Sequence, residues 1–130
     1  MFGNFQSSNL RIEMSASQTA IRDSLMRPES LRQWLWPQRL SDGLPLELES
    51  GLMFTTWIGP VAIGHHVEIA SDNCLRMILS QGIDGFHEWM WGEGWVQSRL
   101  EGITLLPLNL GQTLSLLRLR EFLTTMKTEL

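Results

Sequence analysis

The sequence predicts an α+β domain: a strand, two short helices, about six antiparallel strands and one long C-terminal helix. Three observations carry that prediction. From about Leu46 to Leu106 apolar and polar residues alternate, the period of half-buried strands. Between Ser15 and Leu35 apolar side chains recur at helical spacing instead. The chain then closes on a leucine-rich stretch, about Asn109 to Met126, again at helical spacing.

Taken in order, residues 1–8 read as a loose lead-in. Leu10, Ile12 and Met14 alternate with Arg11 and Glu13, as a strand with one buried face requires. Ser15, with Gln18 three places on, has the spacing of a capping box that starts a helix, in which Ala20, Ile21 and Leu25 share a face. Pro28 suits the first position of a second helix, where its missing N–H would be unpaired anyway. Leu31, Trp34 and Leu35 form its apolar stripe and Pro37 stops it. LPLELES (44–50) is a candidate short strand, and LMFTTWI (52–58) ends at the turn signal Gly59-Pro60. In VAIGHHVEIA (61–70), Val61, Ile63, His65, Val67 and Ile69 point one way, and Gly64, His66 and Glu68 the other. The apolar set must face the core, so His65 goes in with it. Leu75, Met77 and Leu79 are the inward set of the next strand, with Arg76 outside.

Phe86 to Glu101 reads as a β-hairpin turning at Glu93-Gly94. Trp91 then faces Val96, Trp89 faces Ser98 and His87 faces Leu100 on the inner side, while Glu88 faces Arg99 on the outer side as an opposite-charge pair. Indoles opposite small residues point to a curved sheet lining a hollow. After Pro107, Asn109 and Gln112 repeat the capping-box spacing. Leu116, Leu119, Phe122, Leu123 and Met126 fall on one side of the final helix. Leu110, Leu114 and Leu117 lie nearly opposite, and Leu114 and Leu117 offer a contact for a homodimer or for the N-terminal lead-in.

The 130 residues bound a single domain with a real core. A net charge of −4 with scattered arginines argues against nucleic acid as a partner. One cysteine, Cys74, cannot form an internal disulfide, and MFGNFQSSNLRIE lacks the basic start and apolar run of a secretory signal, so a cytoplasmic location is expected. No stretch reaches the roughly 18 apolar residues of a membrane span, so no stable membrane insertion is expected. His66 and Glu68 share an outer strand face but lack a third ligand, and HExxH, paired Cys and phosphate-binding glycine motifs are missing from the sequence. No metal and no cofactor are expected. Six Trp and five Phe with no Tyr fit either a bulky core or a cavity with amphipathic walls.

This order of elements, with RIEMSAS before the first helix, PESLRQWLWP in the second and LPLNLGQTLSLLRLREFL at the end, resembles the helix-grip fold of the START-like (SRPBCC) superfamily. This is the polyketide cyclase/dehydrase and lipid-transport group. The Pro, acidic residue and Trp of PESLRQWLWP are similar to a run common in its bacterial members. None of these is a catalytic signature, so the resemblance bears on fold more than on function. It implies a curved sheet wrapped around the C-terminal helix, with a cavity between them for a lipid, polyketide or other apolar or aromatic molecule.

Three functions remain open on these residues. The first is a binding protein holding a small hydrophobic ligand against Trp89, Trp91, Phe54, Met77, Leu119 and Leu123, with His65, His87 or Ser98 supplying hydrogen bonds. Trp36, off the apolar stripe of its helix, would stand at the mouth. The second is a cyclase- or dehydratase-type enzyme with His87 or His65 as base. The third is an interaction module with a filled core, in which both histidines are merely satisfied by backbone or water.

Overall fold

The computed structural model describes residues 3–35 and 37–129, with side chains through Met126. Its order is β1 (Asn4–Glu13), α1 (Gln18–Met26), α2 (Pro28–Trp34), β2 (Arg39–Leu40), β3 (Met53–Ile58), β4 (Val61–Ala70), β5 (Cys74–Gln81), β6 (Asp84–Gly92), β7 (Trp95–Thr104) and α3 (Leu108–Glu129). Among the described residues seven strands form one sheet, ordered β1-β7-β6-β5-β4-β3-β2, with every neighbouring pair antiparallel. The β-α-α-β-α order is helix-grip-like. α3 packs on β1 and β7 and touches α1 and α2. No helix among the described residues is long and apolar enough to cross a membrane.

The β6–β7 hairpin has the expected register, with Trp91 opposite Val96, Trp89 opposite Ser98 and His87 opposite Leu100. The outer-face ion pair differs. Glu88 is taken by Arg76 of β5 at 3.2 Å, and Arg99 lies 3.6 Å from Glu101. Arg76 sits directly across from Glu88 on the other side of β6, so it competes for the same carboxylate.

Several local expectations need correction. The lead-in is strand from Asn4 onwards, paired with β7 from Asn4↔Thr104 to Glu13↔Trp95. Its inward positions include the polar Gln6 and Ser8, which hid the alternation. Helix α1 is capped by Ser17, not Ser15: Ser17 Oγ accepts from the Ala20 amide at 3.1 Å. LPLELES is not a strand. Pro45 offers the ladder no N–H, Leu48 turns into the core, and its amide donates to the Met26 carbonyl at 2.7 Å. The guanidinium of Arg22 grips Glu47 through two bonds of 3.3 and 3.1 Å and pins the segment to α1. The short β2 supplies the edge strand in its place.

Ile69 does not join the inward set. Val67 pairs with Met77 and Ile69 with Arg76, so Glu68 is an extra residue, and this bulge turns Ile69 outward at 41% exposure. On α3 the buried stripe is Leu108, Gln112, Leu116, Leu119 and Leu123, while Met126 is exposed. Asn109 and Gln112 do not form a capping box. Both reach β1, and the first-turn amide of Leu108 is satisfied by Gln6 Oε1 at 3.1 Å.

Candidate functional site

Between the first turns of α3 and one end of the sheet lies a cavity of about 230 Å³. Ile63 and His65 of β4, Leu79 of β5, Ile83, His87 of β6 and Leu100 of β7 form its sheet wall. Leu108, Gly111, Gln112 and Ser115 form the helix wall, and Leu35, Pro37, Gln38 and Ile58 close the side beyond α2. Residue size explains the gap. Where α3 carries Leu116, Leu119 and Leu123 it fills the space over the sheet, but its first turns present Gly111 and Ser115. A Cβ placed on Gly111 would meet no atom of the described residues within 4 Å. Leu110 and Leu114 stand at the rim and are exposed.

Two imidazoles supply the polar side chains of the sheet wall, and each is engaged at Nε2 by a hydroxyl behind it. His87 Nε2 lies 2.8 Å from Ser98 Oγ, and His65 Nε2 lies 2.8 Å from Thr56 Oγ1. A side-chain amide stands behind each hydroxyl. Gln112 Nε2 donates to Ser98 Oγ at 3.0 Å, and Gln38 Nε2 donates to Thr56 Oγ1 at 2.6 Å. His65 also stacks on Phe54, with ring centroids 4.6 Å apart and planes 3° from parallel. Burial pushes the His65 pKa down to about 4, and burial, with the neighbouring His65 charge second, pushes that of His87 down to about 3. Part of His87 borders the cavity, yet protein surrounds the ring closely enough for desolvation to decide its charge. Both are neutral at pH 7, so the cavity carries no charged histidine.

Of the residues expected to hold a ligand, His65 and His87 border this cavity. Ser98 does not; it is fully buried behind His87. Trp89, Trp91, Phe54, Met77, Leu119 and Leu123 are buried in the core and do not line the cavity. The indoles lie at the other end of the sheet, where α1 and α2 cover it: Trp34 meets Trp89 edge to face at 6.2 Å. Leu123 also borders a separate open groove, with Ser15, Ala16, Ser17, Ala20, Glu93 and Met126. Trp36 lies outside the described residues. The reading from sequence missed Gln112, Thr56 and Gln38. Gln112 left a signal, since it falls on the helix stripe continued by Leu116 and Leu119, where a polar residue must find buried partners.

No protein-family model and no curated protein matches the chain. Solved structures do. Protein CV1439 from Chromobacterium violaceum superposes with a TM-score of 0.72 at 19% identity, over 90% of this chain and 96% of that one. DynU16, a protein of the dynemicin biosynthetic locus, gives 0.69 at 15% identity; the match covers 92% of this chain and 47% of DynU16, so the chain spans about half its length. Aha1 from Colwellia psychrerythraea, solved as a dimer, gives 0.65 at 16% identity over 91% of this chain and 96% of its own. At these identities the likeness is one of fold, an architecture of the cavity-forming kind.

Proposed function

We propose that this chain is a START-like protein that binds one small, largely apolar molecule in the cavity between the first turns of α3 and the sheet. In this reading the sheet bends around α3, and the facing glycines Gly85 and Gly102 permit the close strand approach at the bend, since a Cβ on Gly85 would collide with the Glu101 carbonyl oxygen. The observation that carries the reading is an apolar cavity with two neutral imidazoles in its wall. Its volume, about 230 Å³, lies between the ~150 Å³ that accepts benzene and the ~300 Å³ where drug-sized pockets begin. A one-ring molecule or a short branched chain fits; a whole sterol or long-chain lipid does not. A ring burying about 200 Å² of apolar surface gains about 5 kcal/mol, equivalent to a Kd of about 0.2 mM, and association costs weaken this, so affinity in the millimolar range follows.

The enzymatic alternative is weaker on the same geometry. Burial lowers both histidine pKa values, so they do not form an acid and a base with opposed tuning. A second use of this end of α3 is an interface between copies of the chain, supported by exposed Leu110, Leu114 and Leu117 at 58%, 45% and 43% and by the dimeric Aha1 neighbour.

Titration with ethylbenzene, read by methyl NMR, separates these readings. Saturable shifts are expected at Ile63, Leu79, Ile83, Leu100 and Leu108, with Met77 unmoved. Shifts that never saturate, or that centre on Leu123 and Met126, would contradict ligand binding. A concentration-dependent dimer without methyl shifts would instead favour the interface.

A further inference from the structure

We infer that this cavity recognises a hydrogen-bond acceptor, a neutral carbonyl oxygen on a small apolar body, and meets it with the Nδ1–H of His87. This rests on the ligand-binding reading above and goes further by naming the chemistry of the ligand.

The side chain of Gln112 is buried between β1 and β7. One end of its amide lies 3.2 Å from the Ser8 carbonyl oxygen and 2.7 Å from the Ser98 carbonyl oxygen. Backbone carbonyls only accept, so that end must be the NH2, and the orientation of the amide is fixed. The same nitrogen donates to Ser98 Oγ at 3.0 Å. At the other end, Oε1 accepts from Ser8 Oγ at 2.6 Å, and Ser8 Oγ accepts from Asn109 Nδ2 at 2.9 Å. Every proton in this chain therefore has a direction.

Ser98 is fully buried, and its O–H needs an acceptor. Gln112 Nε2 cannot accept, which leaves His87 Nε2 at 2.8 Å. The opposite arrangement, with Nε2–H donating to Ser98, would strand the serine proton in the core. Satisfying Ser98 thus places the imidazole proton on Nδ1. Nδ1 has no hydrogen-bond partner among the described residues, and His87 borders the cavity. Ser98 and Gln112 are positioning residues, and the group they position is a donor.

The same order of amide, hydroxyl and imidazole recurs at His65, through Gln38 and Thr56, and His65 Nδ1, which is buried, also has no partner among the described residues. No Arg or Lys among the described residues borders the cavity. A carboxylate would enter without a counter-ion, at a large desolvation penalty. A donor-only group such as an ammonium would meet another donor. A ketone or aldehyde oxygen satisfies the site and carries no charge.

The test uses the full chain and size-matched probes: acetophenone, ethylbenzene and benzoate. Long-range 1H–15N correlation of the wild-type protein at pH 7 should show His87 protonated at Nδ1 and bare at Nε2. In Ser98→Ala that tautomer preference should relax; should this variant fail to fold, the wild-type spectrum still decides. Acetophenone should weaken about tenfold relative to ethylbenzene when His87→Leu removes the donor, and benzoate should bind more weakly than acetophenone. A proton on Nε2 in the wild type would overturn the inference. So would an acetophenone-to-ethylbenzene ratio unchanged by His87→Leu, and in that case the cavity reading survives. Should neither neutral probe bind the wild type, the cavity reading itself fails and takes this inference with it.

Discussion

Replacing Trp34 with alanine lowers the unfolding free energy by about 3–5 kcal/mol, the range for deleting a buried aromatic side chain. Trp34 is 1% exposed and sits where α1, α2 and the sheet meet. Its ring packs edge to face on Trp89, and its indole N–H donates to the Ser24 carbonyl oxygen at 2.9 Å. Its own carbonyl accepts from Arg118 Nε of α3 at 2.7 Å. That last bond uses backbone and survives the substitution, so the loss comes from packing and the indole bond. Urea unfolding should show a lower midpoint with an unchanged slope. Trp34→Phe keeps most of the packing and should lose only about 1 kcal/mol for the missing hydrogen bond. A change under about 1 kcal/mol in the alanine variant would show that this end of the sheet is not held as described.

The second large effect is loss of stability in mild acid. In the unfolded chain a histidine titrates near 6.5, whereas folding holds His65 near 4 and His87 near 3. Because the folded values are the lower ones, the unfolded state binds protons first as pH falls. Stability is therefore fully present above about pH 6.5, declines below it, and stops declining through these groups only beneath their folded values. Over the whole window the loss is about 3 kcal/mol for His65 and about 5 kcal/mol for His87. Between pH 6.5 and 5 carboxylates contribute little, so that stretch isolates the imidazoles. Urea midpoints at pH 7.5, 6.5, 5.5 and 5 should fall steadily, and His87→Leu should flatten the slope by about half. A level profile across that range would mean the two imidazoles are not buried neutral.

Much of this fold is written in local pattern. The Glu93-Gly94 turn and the alternation on either side of it fix the β6–β7 register, because a one-residue slip would turn every inward ring outward. The same alternation places His65 and His87 on the inner face. What a strand pattern does not carry is position along the sheet. Trp89 and Trp91 do face inward, but α1 and α2 seal their end, whereas the small residues Gly111 and Ser115 leave the opposite end open. That difference is set by how two helices pack, which no single stretch encodes. The inward polar residues of β1 were hidden for a related reason. Ser8 is legible as a core position only once Gln112 is known to reach it. The bulge at Glu68, which turns Ile69 out, follows from pairing with β5 and has no glycine or proline to announce it.

Diffraction from crystals pressurised with xenon tests the central claim most directly, since this gas settles in dry apolar cavities. The account predicts a xenon peak bounded by Ile63, Leu79, Ile83, Leu100 and Leu108, under the first turns of α3. An empty map at that position, or a peak lodged beside Trp89 and Trp91 instead, would contradict it.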